Sequence, residues 1–171
     1  MGQFIDLTAK DGFTFPAYVA EPKGTPKGAV VVLQEIFGVN SHILSVADGY
    51  AAEGYLAVAP ATFQRIQPGV ELGYSDEDMK AGSALKADAE ALPKPGVLQD
   101  IQAAVEYAAR AGKVGIVGYC YGGLLTWRAA AKVSGLSAAV GYYGGAVVRF
   151  ADDKPKLITH IATGLQKPDG T

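Results

Sequence analysis

Five short apolar runs, at residues 29–33, 56–59, 114–117, 138–143 and 157–162, carry almost no polar residue inside them. A strand with one wet face alternates polar and apolar side chains. A run without alternation suits a strand covered on both faces, the condition of a parallel sheet between helices. Between the runs the period changes. Ile43, Val46, Ala47 and Tyr50 fall on one helical face, as do Ile101, Ala104, Val105 and Ala108. Alternating strand and helix predict an open α/β sheet, with ligands bound outside the carboxyl ends of its strands. Ahead of it, residues 4–19 flank Asp11-Gly12, the signal for an antiparallel hairpin with a tight turn. Ser75 and Asp78 have capping-box spacing ahead of residues 79–91, and Pro93 and Pro95 stop that helix.

A length of 171 residues predicts one domain with a sizeable core. Hydrophobic residues make up 49% and charged residues 19%, and 15 Lys+Arg against 17 Asp+Glu leave −2. That balance argues against disorder and against a polyanion-binding surface, so no nucleic-acid partner is expected. One cysteine and two histidines allow neither an internal disulfide nor a structural zinc cluster. The start, MGQFID, lacks the basic and apolar regions of a signal peptide, and Asp6 replaces the Ser or Thr of a myristoylation signal. No run approaches the ~18 apolar residues of a membrane span, so a cytoplasmic protein without membrane contact is expected.

The stretch 113–123, KVGIVGYCYGG, runs from a strand through G-x-C-x-G into the helix-forming residues 124–132. A sharp strand-to-helix turn needs glycines two residues either side of its centre, where backbones meet closely. Gly118 and Gly122 stand there around Cys120. This is a nucleophile elbow with Cys in place of Ser. The turn sets the sulfur at the amino end of a helix, where free N–H groups and the dipole favour a thiolate and hold an oxyanion. A dinucleotide fingerprint is excluded, because glycines at 115, 118, 122 and 123 do not spell G-x-G-x-x-G.

Two segments, residues 31–40 (VVLQEIFGVN) and 115–123 (GIVGYCYGG), together resemble the dienelactone hydrolase (carboxymethylenebutenolidase) family. Residues 54–60 and 140–144 extend the likeness over nearly the whole chain. The resemblance implies an α/β-hydrolase-type three-layer sandwich, mostly parallel with an N-terminal antiparallel hairpin, lacking the family's last strand and helix. It also implies a small ester or lactone as substrate and no metal or organic cofactor. Cys120 would be the nucleophile, and Glu35 a strand-end carboxylate that contacts the thiol and controls its ionisation. The N–H groups of Tyr121 and Ile36 would form the oxyanion hole, and Arg65 would bind the carboxylate of an anionic lactone. A full-length relative is expected to be a monomer, and this shorter chain to associate.

A complete site of this kind follows the nucleophile with an acid and then a histidine. The acid position falls on Leu165 or Lys167, neither a carboxylate, and Asp169 fits only with a shifted register. His42 opens the first crossover helix and His160 lies within the last apolar run, so both read as structural. From reference values of about 4.3 and 8.5, proton transfer from thiol to Glu35 is uphill by roughly 4 pH units, or about 6 kcal/mol. Three readings stay open: a Cys-dependent ester or lactone hydrolase that acylates readily and turns over slowly, a catalytically incomplete domain that binds a small ligand or a partner protein, and a redox-sensitive thiol protein.

Overall fold

The computed structural model describes residues 2–155 and the backbone of 159–162. Strands β1 (Gln3–Thr8), β2 (Thr14–Ala20), β3 (Ala29–Leu33), β4 (Leu56–Pro60), β5 (Val114–Tyr119), β6 (Leu136–Tyr142) and β7 (Thr159–Ala162) form one sheet in the order β1-β2-β4-β3-β5-β6-β7. β1 and β2 pair antiparallel and β2 pairs antiparallel with β4, while all pairs from β4 to β7 are parallel. The expected edge hairpin is present. Its connection is wider than a two-residue turn: Ala9 N–H donates to Phe13 O and the Asp11 carboxylate caps Phe13 N–H.

Helices α1 (Ser41–Ala52), α2 (Asp76–Ala91), α3 (Leu98–Ala108) and α4 (Tyr121–Lys132) complete the layers. Val31 and Leu33 of β3 enter one buried cluster with Leu85 of α2, Ile101 of α3 and Leu124 of α4. Val32, between them, enters a second cluster with Ile43 and Ala47 of α1. That division explains the unalternated run. Each successive β3 side chain meets a helix layer on its own side, and all five β4 residues are buried.

The capping box forms as the spacing predicts. Ser75 Oγ accepts from Asp78 N–H at 3.1 Å, Asp78 accepts from Ser75 N–H at 3.1 Å, and α2 ends at Ala91. No helix among the described residues is long and apolar enough to cross a membrane.

Chain direction across the sheet reverses at β3. The chain steps from β3 to β4 on one side, then through β5, β6 and β7 on the other. The crevice between the carboxyl ends of β3 and β5 is therefore the topological switch point, where open α/β sheets bind ligands. Leu33 of β3 pairs in register with Gly118 of β5. Glu35 and Cys120 each follow two residues later.

Candidate active site

At the end of β5 the chain turns directly into α4, and Cys120 sits at the bend with φ 53° and ψ −115°. That conformation is strained for a residue with a Cβ. It persists because the surrounding backbone is welded. A Cβ at Gly118 would collide with the Gly122 carbonyl, and one at Gly122 would lie 2.5 Å from Leu33 O and 2.6 Å from Gln34 O. Gly123 lies flush on β6, where a Cβ would come 2.5 Å from Tyr142 O. Cys120 N–H donates to that same oxygen at 3.1 Å. The two glycines of the motif thus serve close approach, as the elbow pattern predicts.

The thiol is half-buried. The backbone N–H groups of Tyr121 and Ile36 act on the sulfur and favour its charged form. One comes from the first turn of α4 and the other from the loop after β3. Burial pushes the thiol above its ordinary range, and the nearby Glu35 charge adds to that push. The two amides and Lys86 oppose it, with a net upward result. The expectation that the helix end favours a thiolate is therefore outweighed by desolvation.

Glu35 follows β3 as predicted, yet its carboxylate is held by phenols. Tyr143 donates to Oε1 at 3.2 Å and Tyr74 to Oε2 at 3.3 Å. No hydrogen bond among the described residues joins Glu35 to the sulfur, although its charge is felt there. Tyr143 stands just past β6 in left-handed backbone, φ 39°, and its phenol is pushed up to about 12 by burial and then by Glu35. Tyr74 packs edge-on against Phe37, ring centroids 4.6 Å apart. Neither tyrosine had a sequence signal, since each reaches Glu35 from a loop remote in the chain.

Behind Glu35, the fully buried Gln34 ties the ends of β3 and β4 together by accepting from Thr62 N–H at 3.1 Å. Under the elbow, Tyr121 is buried and stacked on Phe63 at 5.6 Å.

Arg65 is not brought to the thiol. Its Nε and Nη2 donate to the buried Asp100 at 2.7–3.0 Å, and Nη1 and Nη2 donate to Asp11 at 2.8 and 3.0 Å. The guanidinium also lies over the Phe13 ring, 4.2 Å from its centroid. Every guanidinium nitrogen is engaged, and the crevice that Arg65 lines also contains Lys94 and Gln99 but neither Cys120 nor Glu35. A roomier crevice of about 780 Å³ along α3 and α4 is likewise lined by neither residue. His42 stacks edge-on near Tyr119, 6.5 Å between centroids, at the start of α1. Leu165, Lys167 and Asp169 lie outside the described residues, as does the side chain of His160.

A mostly parallel sheet with a strained strand–turn–helix bend at its switch point, its turn closed by glycines packed on neighbouring backbone, defines the α/β-hydrolase class. Residues 15–168 match the dienelactone hydrolase family, and the chain belongs to that family. It is 39% identical over 144 residues to a carboxymethylenebutenolidase of Pseudomonas putida, covering 82% of this chain and 60% of that protein. A Synechocystis sp. protein assigned the same activity is 38% identical over 140 residues, covering 78% of this chain and 55% of that protein. Among solved structures, a Klebsiella pneumoniae chain assigned as a dienelactone hydrolase superposes with a TM-score of 0.68 at 33% identity, covering 93% of this chain and 71% of that one. The chain spans less than two thirds of the length of these curated relatives.

Proposed function

We propose that this chain carries the nucleophile half of a carboxylic ester or lactone hydrolase, with Cys120 as the attacking group and a small ester or lactone, such as an anionic dienelactone, as substrate. One observation carries the reading: Cys120 is held at φ 53° on an elbow whose glycines pack directly on the ends of β3 and β6. Cys120 gives its proton to Glu35, and the thiolate adds to the ester carbonyl. The negative charge that develops on the carbonyl oxygen is held by the Tyr121 and Ile36 amides, two donors fixed before the reaction begins. Collapse breaks the acyl carbon–oxygen bond, the leaving oxygen takes the proton from Glu35, and a thioester remains on Cys120. Water then adds to the thioester and returns the thiol and a carboxylic acid. This scheme assigns no step to Arg65, whose guanidinium is paired with Asp100 and Asp11.

The experiment is pre-steady-state cleavage of a chromogenic activated ester. A burst stoichiometric with Cys120, followed by slow turnover and abolished in Cys120→Ala, supports the reading. Turnover that persists in Cys120→Ala overturns it. The raised thiol and the phenol-bound Glu35 favour a second reading, a domain that binds a small ligand at this crevice without turnover. Ligand binding with no burst supports that one.

A further inference from the structure

Glu35 opens a loop that is joined to a second loop, and one buried amide closes the joint. Residues 70–74 lie against residues 37–40. Leu72 N–H donates to Phe37 O at 2.8 Å, Glu71 bridges antiparallel to Gly38, and a Cβ at Gly38 would collide with the Val70 carbonyl. Asn40, only 5% exposed, ties these residues to α1. Its Oδ1 accepts from Ile43 N–H at 3.3 Å and caps the helix, while its Nδ2 donates to Leu72 O at 3.1 Å and to Tyr74 Oη at 3.5 Å. Tyr74 in turn donates to Glu35 Oε2 at 3.3 Å. A helix cap needs only the oxygen of this side chain, so the cap does not account for the nitrogen.

The direction of this chain of hydrogen bonds follows from what each group can do. Ile43 N–H only donates and the Leu72 carbonyl only accepts, so the Asn40 amide has one orientation, oxygen toward α1 and nitrogen toward the second loop. An amide nitrogen only donates. Tyr74 Oη therefore receives a proton from Asn40, and its own proton is left for Oε2 of the carboxylate, which only accepts. We propose that Asn40 is a positioning residue for Glu35, its amide making the Tyr74 hydroxyl a one-way donor that holds the carboxylate at the crevice. The other carboxylate oxygen is held by Tyr143 from the loop after β6, so two phenols together fix the plane of the group. Desolvation pushes the Tyr74 phenol up, the Asn40 bond draws it down and Glu35 pushes it up again, as befits a hydroxyl that receives on one side and gives on the other. In acylation Glu35 takes the thiol proton, and a carboxylate with one oxygen unheld spends less time in the geometry for that transfer.

The proposal rests on Glu35 accepting the proton of Cys120, and its test reads the tyrosine and the ester separately, so the two can fail apart. Asn40→Ser keeps an oxygen for the α1 cap and removes the amide donor. Two quantities are measured in the intact chain, Asn40→Ser, Tyr74→Phe and the double variant. One is single-turnover acylation by an activated ester. The other is the pH titration of Tyr74 by NMR of ring-labelled tyrosine, with Tyr74→Phe giving the assignment. In Asn40→Ser acylation slows about threefold to tenfold, and the Tyr74 phenol ionises at higher pH because the amide that draws it down has gone. Tyr74→Phe slows by the same factor, and the double variant is no slower than either single one. An unmoved Tyr74 titration in Asn40→Ser overturns the proposal. So does a double variant slowed by the product of the single effects, the result that a merely structural loss of the Leu72 contact would give. Should Asn40→Ser fail to fold, Tyr74→Phe still decides, since acylation at the wild-type rate there overturns the proposal. A Tyr74 titration shifted as expected, in a chain whose ester cleavage survives Cys120→Ala, supports the hydrogen-bond chain and sinks the hydrolase reading.

Discussion

Tyr143 donates its hydroxyl to Oε1 of Glu35 at 3.2 Å from a left-handed backbone that side-chain-bearing residues seldom adopt. Tyr74 donates to the other oxygen, and the Glu35 charge is felt at the thiol. That charge opposes a second negative charge on sulfur. Glu35→Gln removes it, so the thiol loses its proton at lower pH, the alkylation midpoint falling by about half a unit. The Tyr143 phenol, which ionises near 12, falls with it for the same reason. Ester acylation moves the other way and slows by about a hundredfold, because the proton acceptor has gone. Alkylation profiles, absorbance titration of the tyrosines and single-turnover acylation of the same variant check these three signs.

Strain at the bend gives a stability prediction. Cys120 holds φ 53° against its own Cβ, so Cys120→Gly melts higher than Cys120→Ala, by about 1 kcal/mol. Gly122→Ala runs the opposite course. Its new methyl meets the Leu33 and Gln34 carbonyl oxygens, and the loss is about 3 kcal/mol or more. Chemical denaturation of the three variants checks both statements.

The Arg65–Asp100 pair is a structural clamp in which Asp100 is fully buried. Asp100→Asn leaves Arg65 with Asp11 as a remaining carboxylate partner, so the loss is about 1–3 kcal/mol. The double change Asp100→Leu with Arg65→Met recovers most of that loss, because no buried charge remains and the exposed Asp11 is solvated. Denaturant midpoints of the single and double variants check it, and ester acylation by the double variant stays near wild type.

On the α1 side of the sheet, Val30, Val117, Ala138 and Val140 floor an open groove of about 470 Å³ rimmed by Tyr50 and Tyr142. Apolar surface of that extent drives association in water. The chain is expected to self-associate as its concentration rises. Sedimentation velocity across a hundredfold dilution checks it, and a constant monomer speaks against it.

The strands, the elbow and the α2 cap were legible because each depends on residues close in the chain. Two glycines around Cys120 and the Ser75/Asp78 pair carry their own geometry. Glu35 could be placed because it directly follows an apolar strand. Its partners could not: Tyr74 lies 39 residues away and Tyr143 108 residues away, and nothing local marks a tyrosine as a donor to a distant carboxylate. The partners of Arg65 escaped for the same reason. Its nearest charge, Asp100, is 35 residues on and looks like an ordinary helix acid, while Asp11 looks like a turn residue.

The seating of Gly122 and Gly123 on the ends of β3 and β6 has a wider implication. At those two glycines the sulfur's platform is joined to the sheet through main chain, with no rotamers in the joint. Drift among the aliphatic residues of the interior alters melting temperature long before it moves the reactive atom. Divergent relatives can therefore exchange most of their core while that atom keeps its address.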